Sequence, residues 1–236
     1  MDLDVLRTLQ EPAGRYLLEQ AVALAPTEAT FLSCATRLGK RHPPALVRAA
    51  LQTAMWRARA ATKFESASRM WFTREALEQS TSEAVATHRA RRFSGTVLDI
   101  GCGIGGDAIA LAARCRVVCI DLDPLRLEMA RLNLRAHGLE ERCVFLLGDA
   151  LAMDLPPRDA VFVDPDRRVG GKRRLSVDEG EPSLDAVRSR FPGVPLCAKL
   201  APGVPLDEVD EGEAEFVSLD GELKECALWL GWGTRG

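Results

Sequence analysis

Apolar positions recur with two different periods along the chain, and the change comes at Thr96. Before it, the residues read as helices. Between Pro44 and Lys63, Val47, Leu51, Ala54, Met55 and Ala58 return at three- and four-residue steps with Arg48, Arg57 and Arg59 between them. That spacing predicts an amphipathic helix, with Pro43 and Pro44 suited to its start. Ser80-Thr81-Ser82-Glu83 has the form of a capping box and predicts a further helix up to about Arg92. Trp71 and Phe72 lie between these elements and are expected to pack in the core where the two regions meet.

From Thr96 onward, short apolar runs rich in β-branched residues alternate with helical stretches, as in a parallel sheet covered on both faces. The predicted strands are 97–100, 116–121, 143–147, 160–164 and 196–200. Helices are predicted over 107–113, 124–137 and 184–191, the second with Pro124 in its first turn and Gly138 at its end, the third behind Ser183. The alternation breaks near the end of the chain. There the strand-like runs 214–219 and 222–230 are separated only by Asp220-Gly221, a strong signal for a tight hairpin. The expected fold is therefore α/β: a Rossmann-like parallel sheet finished by an antiparallel hairpin in residues 93–236, behind a helical domain in residues 1–92.

The 236 residues are enough for one α/β domain with a smaller appendage, and the composition, 47% hydrophobic and 28% charged, is that of a globular protein. No apolar run reaches the ~18 residues needed to span a bilayer, and no export signal opens the chain, so a cytoplasmic location is expected. Seven cysteines without a Cys-x-x-Cys pair suggest reduced thiols, and with only three scattered histidines no metal site is expected. Charge is unevenly distributed. Residues 1–93 carry 14 basic against 9 acidic side chains, whereas the remainder carries 17 against 25. A basic front on an acidic body fits a polyanionic substrate; an ordinary solvated helical surface is the other reading.

The segment from Val97 to Asp107 is a strand, a glycine turn and a helix start, where close backbone approach and free helix N–H groups suit a ligand. Gly101, Gly103 and Gly106 also satisfy G-x-G-x-x-G, so the loop alone leaves a dinucleotide open. Three carboxylates separate the readings. Asp99, two residues before Gly101, can accept from a cationic amino group and would repel a pyrophosphate. Asp121, ending the second strand, can take both ribose hydroxyls in either case. Asp149 follows Gly148 after the third strand, where it can accept from an adenine amine while the Ala150 N–H donates to a ring nitrogen. Each alone could be a loop Asp capping a turn, but three at successive strand ends point to S-adenosylmethionine (SAM).

Asp99-Ile-Gly-Cys-Gly-Ile-Gly-Gly-Asp107, Val118-Cys-Ile-Asp-Leu-Asp-Pro124 and Gly148-Asp149-Ala150 together resemble class I SAM-dependent methyltransferases. Within them the chain is most similar to the trimethylguanosine synthase (RNA cap guanine-N2 methyltransferase) group and its bacterial relatives with a THUMP-like domain, Trp71-Phe72 and Thr81-Ser82-Glu83 preceding the loop in the same order. The resemblance implies a seven-stranded sheet with a terminal hairpin, and a segment near Thr81 that folds over the cofactor. The implied cofactor contacts are Thr81, Asp99, Gly101, Gly103, Gly105, Asp121, Leu122, Asp149 and Ala150. Because the bacterial relatives continue into a further domain, it also implies that the chain is a piece of a longer protein.

Acceptor chemistry is expected after the fourth strand, at Asp164-Pro165-Asp166-Arg167. Methyl transfer from a sulfonium is an in-line displacement, so the protein supplies alignment and a sink for the acceptor's proton, which makes Asp164 the catalytic candidate. The resembled group has a Pro-Pro-aromatic element here, and this chain departs from it after Pro165. Arg167 can stack on a base through its guanidinium plane or pair with Asp166. The run from Arg167 to Arg174, with Arg168, Lys172 and Arg173, is the candidate phosphate-contacting loop, against the alternative of a solvated surface loop. Lys199 closes the opposite wall of the site in one reading and pairs with a strand-end carboxylate in the other. These residues suggest a methyltransferase acting on RNA, with a small-molecule methyltransferase and a non-catalytic SAM- or RNA-binding module as alternatives. Asp99, Asp149 and the hairpin disfavour a dinucleotide oxidoreductase.

Overall fold

The computed structural model describes residues 1–165, 180–205 and 211–233, together with the backbone of 168–169 and 172–173. Asp166, Arg167, Arg174 and the side chains of Arg168, Lys172 and Arg173 lie outside the described residues. The chain opens with helices α1 (Leu3–Gln10), α2 (Pro12–Ala23), α3 (Phe31–Leu38), α4 (Pro44–Ala60), α5 (Arg74–Gln79) and α6 (Glu83–Ala90). The α/β part follows as β1 (Thr96–Ile100), α7 (Gly106–Ala112), β2 (Arg116–Asp121), α8 (Pro124–Ala136), β3 (Cys143–Leu147) and β4 (Ala160–Val163). It continues through a two-residue ribbon, β5 (Arg168–Val169) with β6 (Lys172–Arg173), then α9 (Leu184–Arg190), β7 (Leu196–Leu200), β8 (Glu213–Leu219) and β9 (Glu222–Leu230).

Seven strands form one sheet in the order β3-β2-β1-β4-β7-β9-β8. The first five are parallel, and β9 runs antiparallel to both β7 and β8. Asp220 (φ 55°) and Gly221 (φ 79°) both adopt positive φ, the requirement of a type I′ turn, and so close the hairpin as the sequence predicts. Strand order reverses between β1 and β4, which puts the ligand crevice of such a sheet at the carboxyl ends of these strands.

The period-2 alternation of the strands divides the core in two. Val97, Val117, Cys119, Ala160, Phe162 and Trp229 face a cluster that is continuous with α1–α8, whereas Leu98, Val118, Ile120, Val161, Ala198 and Leu228 pack with Leu184 and Val187 of α9 on the other face. The N-terminal helices thus share one core with the sheet, and Trp71 and Phe72 are buried in it as expected. No helix among the described residues is long and apolar enough to cross a membrane.

Two details depart from the sequence reading. The long helix ends at Ala60, not Lys63, and the capping box does not form: Ser82 is the N-cap of α6 without a side-chain bond, and Glu83 instead accepts from the Glu65 N–H at 2.9 Å. Tertiary contact with the 63–65 turn takes the carboxylate that the local motif would use. Helix α5, capped by Thr73, was not anticipated.

The glycine loop is tied to this scaffold by one buried amide. Asn133 of α8 accepts from the Trp71 N–H at 2.6 Å and donates to the Trp71 carbonyl at 3.0 Å and the Ile104 carbonyl at 2.9 Å. Replacing it by the similarly shaped Leu leaves three buried backbone groups unpaired. Asn133→Leu is expected to lower unfolding free energy by about 2–4 kcal/mol in urea titration, since an unsatisfied buried polar group costs about 1–3 kcal/mol.

Candidate cofactor and acceptor site

The loop after β1 is shaped by left-handed residues. Gly105, at φ 82°, is the N-cap of α7, and a Cβ there would lie 3.2 Å from the Ala130 Cα, so both conformation and space require glycine. Gly101 and Gly103 are also at positive φ. At the end of β2, Asp121 accepts from the Gly103 N–H at 2.8 Å through one oxygen and from the Asp123 N–H at 2.9 Å through the other, which fixes its carboxylate against the loop with lone pairs to spare. Leu122, next to it, is a 70% exposed apolar side chain. At the end of β3, Asp149 is exposed and accepts from the Leu151 N–H at 2.8 Å, while Ala150 is buried and its N–H has no partner among the described residues.

Asp99 is the most informative of the group. It is 1% exposed, and its Oδ2 is buried without a hydrogen-bond partner. Burial, reinforced by Asp107 and Asp164, pushes its carboxyl well above the ordinary range. A buried carboxylate without a partner at the floor of a glycine loop fits a ligand that brings its own cation, and SAM carries an ammonium and a sulfonium. The residues present therefore fit the cofactor read from the sequence.

Around the loop lies a charged network that sequence reasoning missed. Arg89 of α6, almost fully buried, donates to Asp107 in the first turn of α7 and to Glu225 of β9, and its guanidinium stands 4.6 Å from the Phe162 ring centre. Thr81 is buried and donates to the other oxygen of Asp107 at 3.3 Å. Asp107 was visible in the motif as an acid just past the last glycine. Arg89 and Glu225 gave no sign of pairing, being 136 positions apart. Lys63 was equally hidden: its ammonium donates to the carbonyls of Leu77 at 2.8 Å and Ser80 at 2.9 Å, fastening the turn between α5 and α6. That turn faces the loop, since a Cβ on Gly106 would lie 3.6 Å from Phe64 and 3.8 Å from Ser80. Lys199 of β7 is buried and donates to Asp164 at the end of β4, so the structure has the strand-end pairing of the two readings of Lys199. Asp164 borders the loop, its carbonyl oxygen 3.8 Å from the position of a Cβ on Gly101.

Two outcomes test this geometry. The protonated Asp99 contributes stability that is fully present below the ordinary carboxylate range and is lost as pH rises through that range towards its raised value. Asp99→Asn should therefore be increasingly stable relative to the parent as pH rises in denaturant titrations, yet bind SAM more weakly by roughly ten- to a hundred-fold, the loss of about 1.5–3 kcal/mol from a charged hydrogen bond. Lys63→Met should loosen the 80–82 turn, seen as faster amide exchange there, and weaken S-adenosylhomocysteine binding about tenfold by calorimetry.

Comparison with known proteins gives matches to both parts of the chain. Residues 97–164 match the family model described as a methyltransferase domain, and residues 2–60 match a domain of unknown function, DUF8688. An uncharacterized SAM-dependent methyltransferase of Mycobacterium tuberculosis, from strains CDC 1551 and H37Rv, is 40% identical over 192 residues, 76% of this chain. The alignment covers 52% of that protein, so the chain spans about half the length of the curated relatives it matches. Norajmaline N-methyltransferase of Rauvolfia serpentina is 41% identical over 68 residues, 28% of this chain and 23% of its own. Among solved structures, a provisionally assigned methyltransferase from Porphyromonas gingivalis W83 shares the fold, with a TM-score of 0.67 and 23% identity over 89% of this chain and 60% of that one. With the seven-stranded sheet, the terminal hairpin and the glycine loop, these findings identify a SAM-dependent methyltransferase domain of the class I fold around residues 97–164 of this chain.

Proposed function

We propose that the chain transfers a methyl group from SAM to a nitrogen of an RNA base, in the manner of the trimethylguanosine synthase-like group it resembles. The observation that carries this reading is Asp164. It ends β4 beside the glycine loop, its side chain is 28% exposed, and one of its oxygens is taken by Lys199. Among the described residues the other oxygen has no bond, which leaves it for an acceptor N–H.

When bound, SAM supplies an electrophilic methyl group opposite a sulfonium leaving group. The chain's part is alignment and proton handling. Lys199 fixes the rotamer of Asp164, so that Oδ1 can accept from the acceptor amine, turn the nitrogen lone pair toward the methyl carbon, and take the proton that the alkylated nitrogen loses. The Pro165 carbonyl can accept from a second N–H. Thr81 and the 80–82 turn shield the cofactor side from water.

The polyanionic part of the substrate is inferred from charge. The basic run 167–174 begins just after Pro165-Asp166, the backbone of 168–169 and 172–173 within it forms the β5–β6 ribbon, and the first 93 residues carry net positive charge. Such a loop suits phosphate contacts flanking the base.

Asp164→Asn is expected to lower the rate of methyl transfer from labelled SAM to RNA about a hundredfold or more, the usual contribution of a positioned acid or base, with S-adenosylhomocysteine affinity unchanged. Label entering free nucleosides or amines but no cellular RNA would overturn the RNA reading. Cofactor binding with no transfer to any acceptor would overturn the catalytic one.

A further inference from the structure

At the opposite end of the sheet from the glycine loop, a cavity of about 350 Å³ opens beside the amino ends of β1 and β2, lined by Arg114, Arg116 and Arg142. A second cavity of about 220 Å³ shares Arg116 and Arg142 and runs on along Val144 of edge strand β3 to Pro156-Pro157. Together they make one groove with a basic end and an apolar end.

The basic end is short of counter-charge. Among the described residues Arg114 and Arg116 have no ion pair, and Glu141 is the one carboxylate in the lining. Nearby Asp159 accepts from the Thr96 N–H at 2.7 Å. The arginines converge: Arg114, Arg116 and Arg142 line one cavity beside Cys115. Arg142 is also preorganised, donating to the last carbonyls of α7, Ala112 at 2.9 Å and Ala113 at 3.0 Å. It thereby caps the negative end of that helix, which would otherwise oppose an anion. All three guanidinium side chains belong to exposed residues. The apolar end offers Val144, 52% exposed, and the two proline rings as a surface for sugar or base faces.

We infer that this groove binds the sugar-phosphate backbone of RNA, with phosphates at Arg114, Arg116 and Arg142 and the neighbouring nucleotide against Val144 and Pro156-Pro157. The inference rests on the RNA reading of the function. A phosphate-only ligand would leave the apolar half without a role, whereas a nucleotide chain supplies both phosphates for the arginines and sugar and base faces for the apolar half. Strand β1, five residues long, separates the groove from the glycine loop by about 16 Å at 3.3 Å per residue. The groove therefore holds a part of the RNA remote from the methylated base, and acts on affinity rather than on the chemistry.

The test is fluorescence anisotropy with labelled single-stranded and duplex RNA of about 20 nucleotides, between about 50 and 200 mM salt, comparing the full chain with its Arg114→Ala/Arg116→Ala variant. The expected result is about tenfold weaker RNA binding and a log–log salt slope less steep by about 1.5, at unchanged S-adenosylhomocysteine affinity. An unchanged affinity and slope would overturn the inference, as would absence of RNA binding by the parent. So would displacement of RNA by sub-millimolar inorganic phosphate that the variant loses, which would make the groove a small-anion site. Methyl transfer to RNA with variant binding unaltered sinks the groove alone; arginine-dependent RNA binding without transfer to any RNA sinks the functional reading alone.

Discussion

Arg89 is the side chain on which the site's construction depends. Its burial works to weaken its charge, and Asp107 and Glu225 more than offset that, so it remains a cation with its proton held more tightly than usual. Through those two bonds a single guanidinium joins α6, the first turn of α7 and β9, three elements that meet only in the folded state. Removing it would leave the buried Glu225 and the half-buried Asp107 without their cation, which is far more damaging than the net worth of the pairs themselves, because breaking a buried ion pair typically costs about 3–5 kcal/mol. The same contact fixes Asp107, and Asp107 in turn receives the Thr81 hydroxyl. The cofactor-side wall is therefore built on an electrostatic contact inside an otherwise apolar core, and only its two carboxylate partners make that core tolerate it.

The charges around this centre do not balance, and the imbalance has a direction. Asp99, Asp107, Asp164 and Glu225 surround Arg89 and Lys199, and Asp99 has a fully buried oxygen without a partner among the described residues. Burial and the neighbouring acids make ionisation of Asp99 unfavourable, and a ligand bearing positive charge at its unpartnered oxygen would offset this. A pyrophosphate-bearing dinucleotide would aggravate the same imbalance. The electrostatics and the family assignment thus reach SAM by independent routes.

Most of the α/β part was legible because its determinants are local. Apolar β-rich runs, Pro124 and Gly138 around α8, Ser183 before α9 and Asp220-Gly221 in the hairpin each act within a few residues, and strands 116–121, 143–147 and 196–200 fall where they were expected. The acids at the strand ends were readable for a related reason: in a parallel sheet, position after a strand fixes position in space. What could not be read were pairings between distant residues. Glu225 lies inside the predicted strand 222–230 and Arg89 inside the predicted helix ending near Arg92, and nothing local to either position points to the other. Lys63 looked like the end of α4, whereas it caps α5. The capping box failed for the same reason, a local motif yielding to the tertiary contact between Glu83 and the 63–65 turn.

The Asp164–Lys199 pair constrains how the two halves of the site divide their work. Burial works to lower the Lys199 pKa, but Asp164, assisted by Asp107 and Glu225, raises it beyond its usual value, so Lys199 stays protonated and cannot act as a base. It also cannot swing out to meet a phosphate without leaving Asp164 unpaired and its own charge buried, a cost no exposed contact would repay. In the proposed reaction, proton acceptance therefore falls to Asp164, and contact with a polyanion to cations without a carboxylate partner among the described residues, such as Arg114 and Arg116.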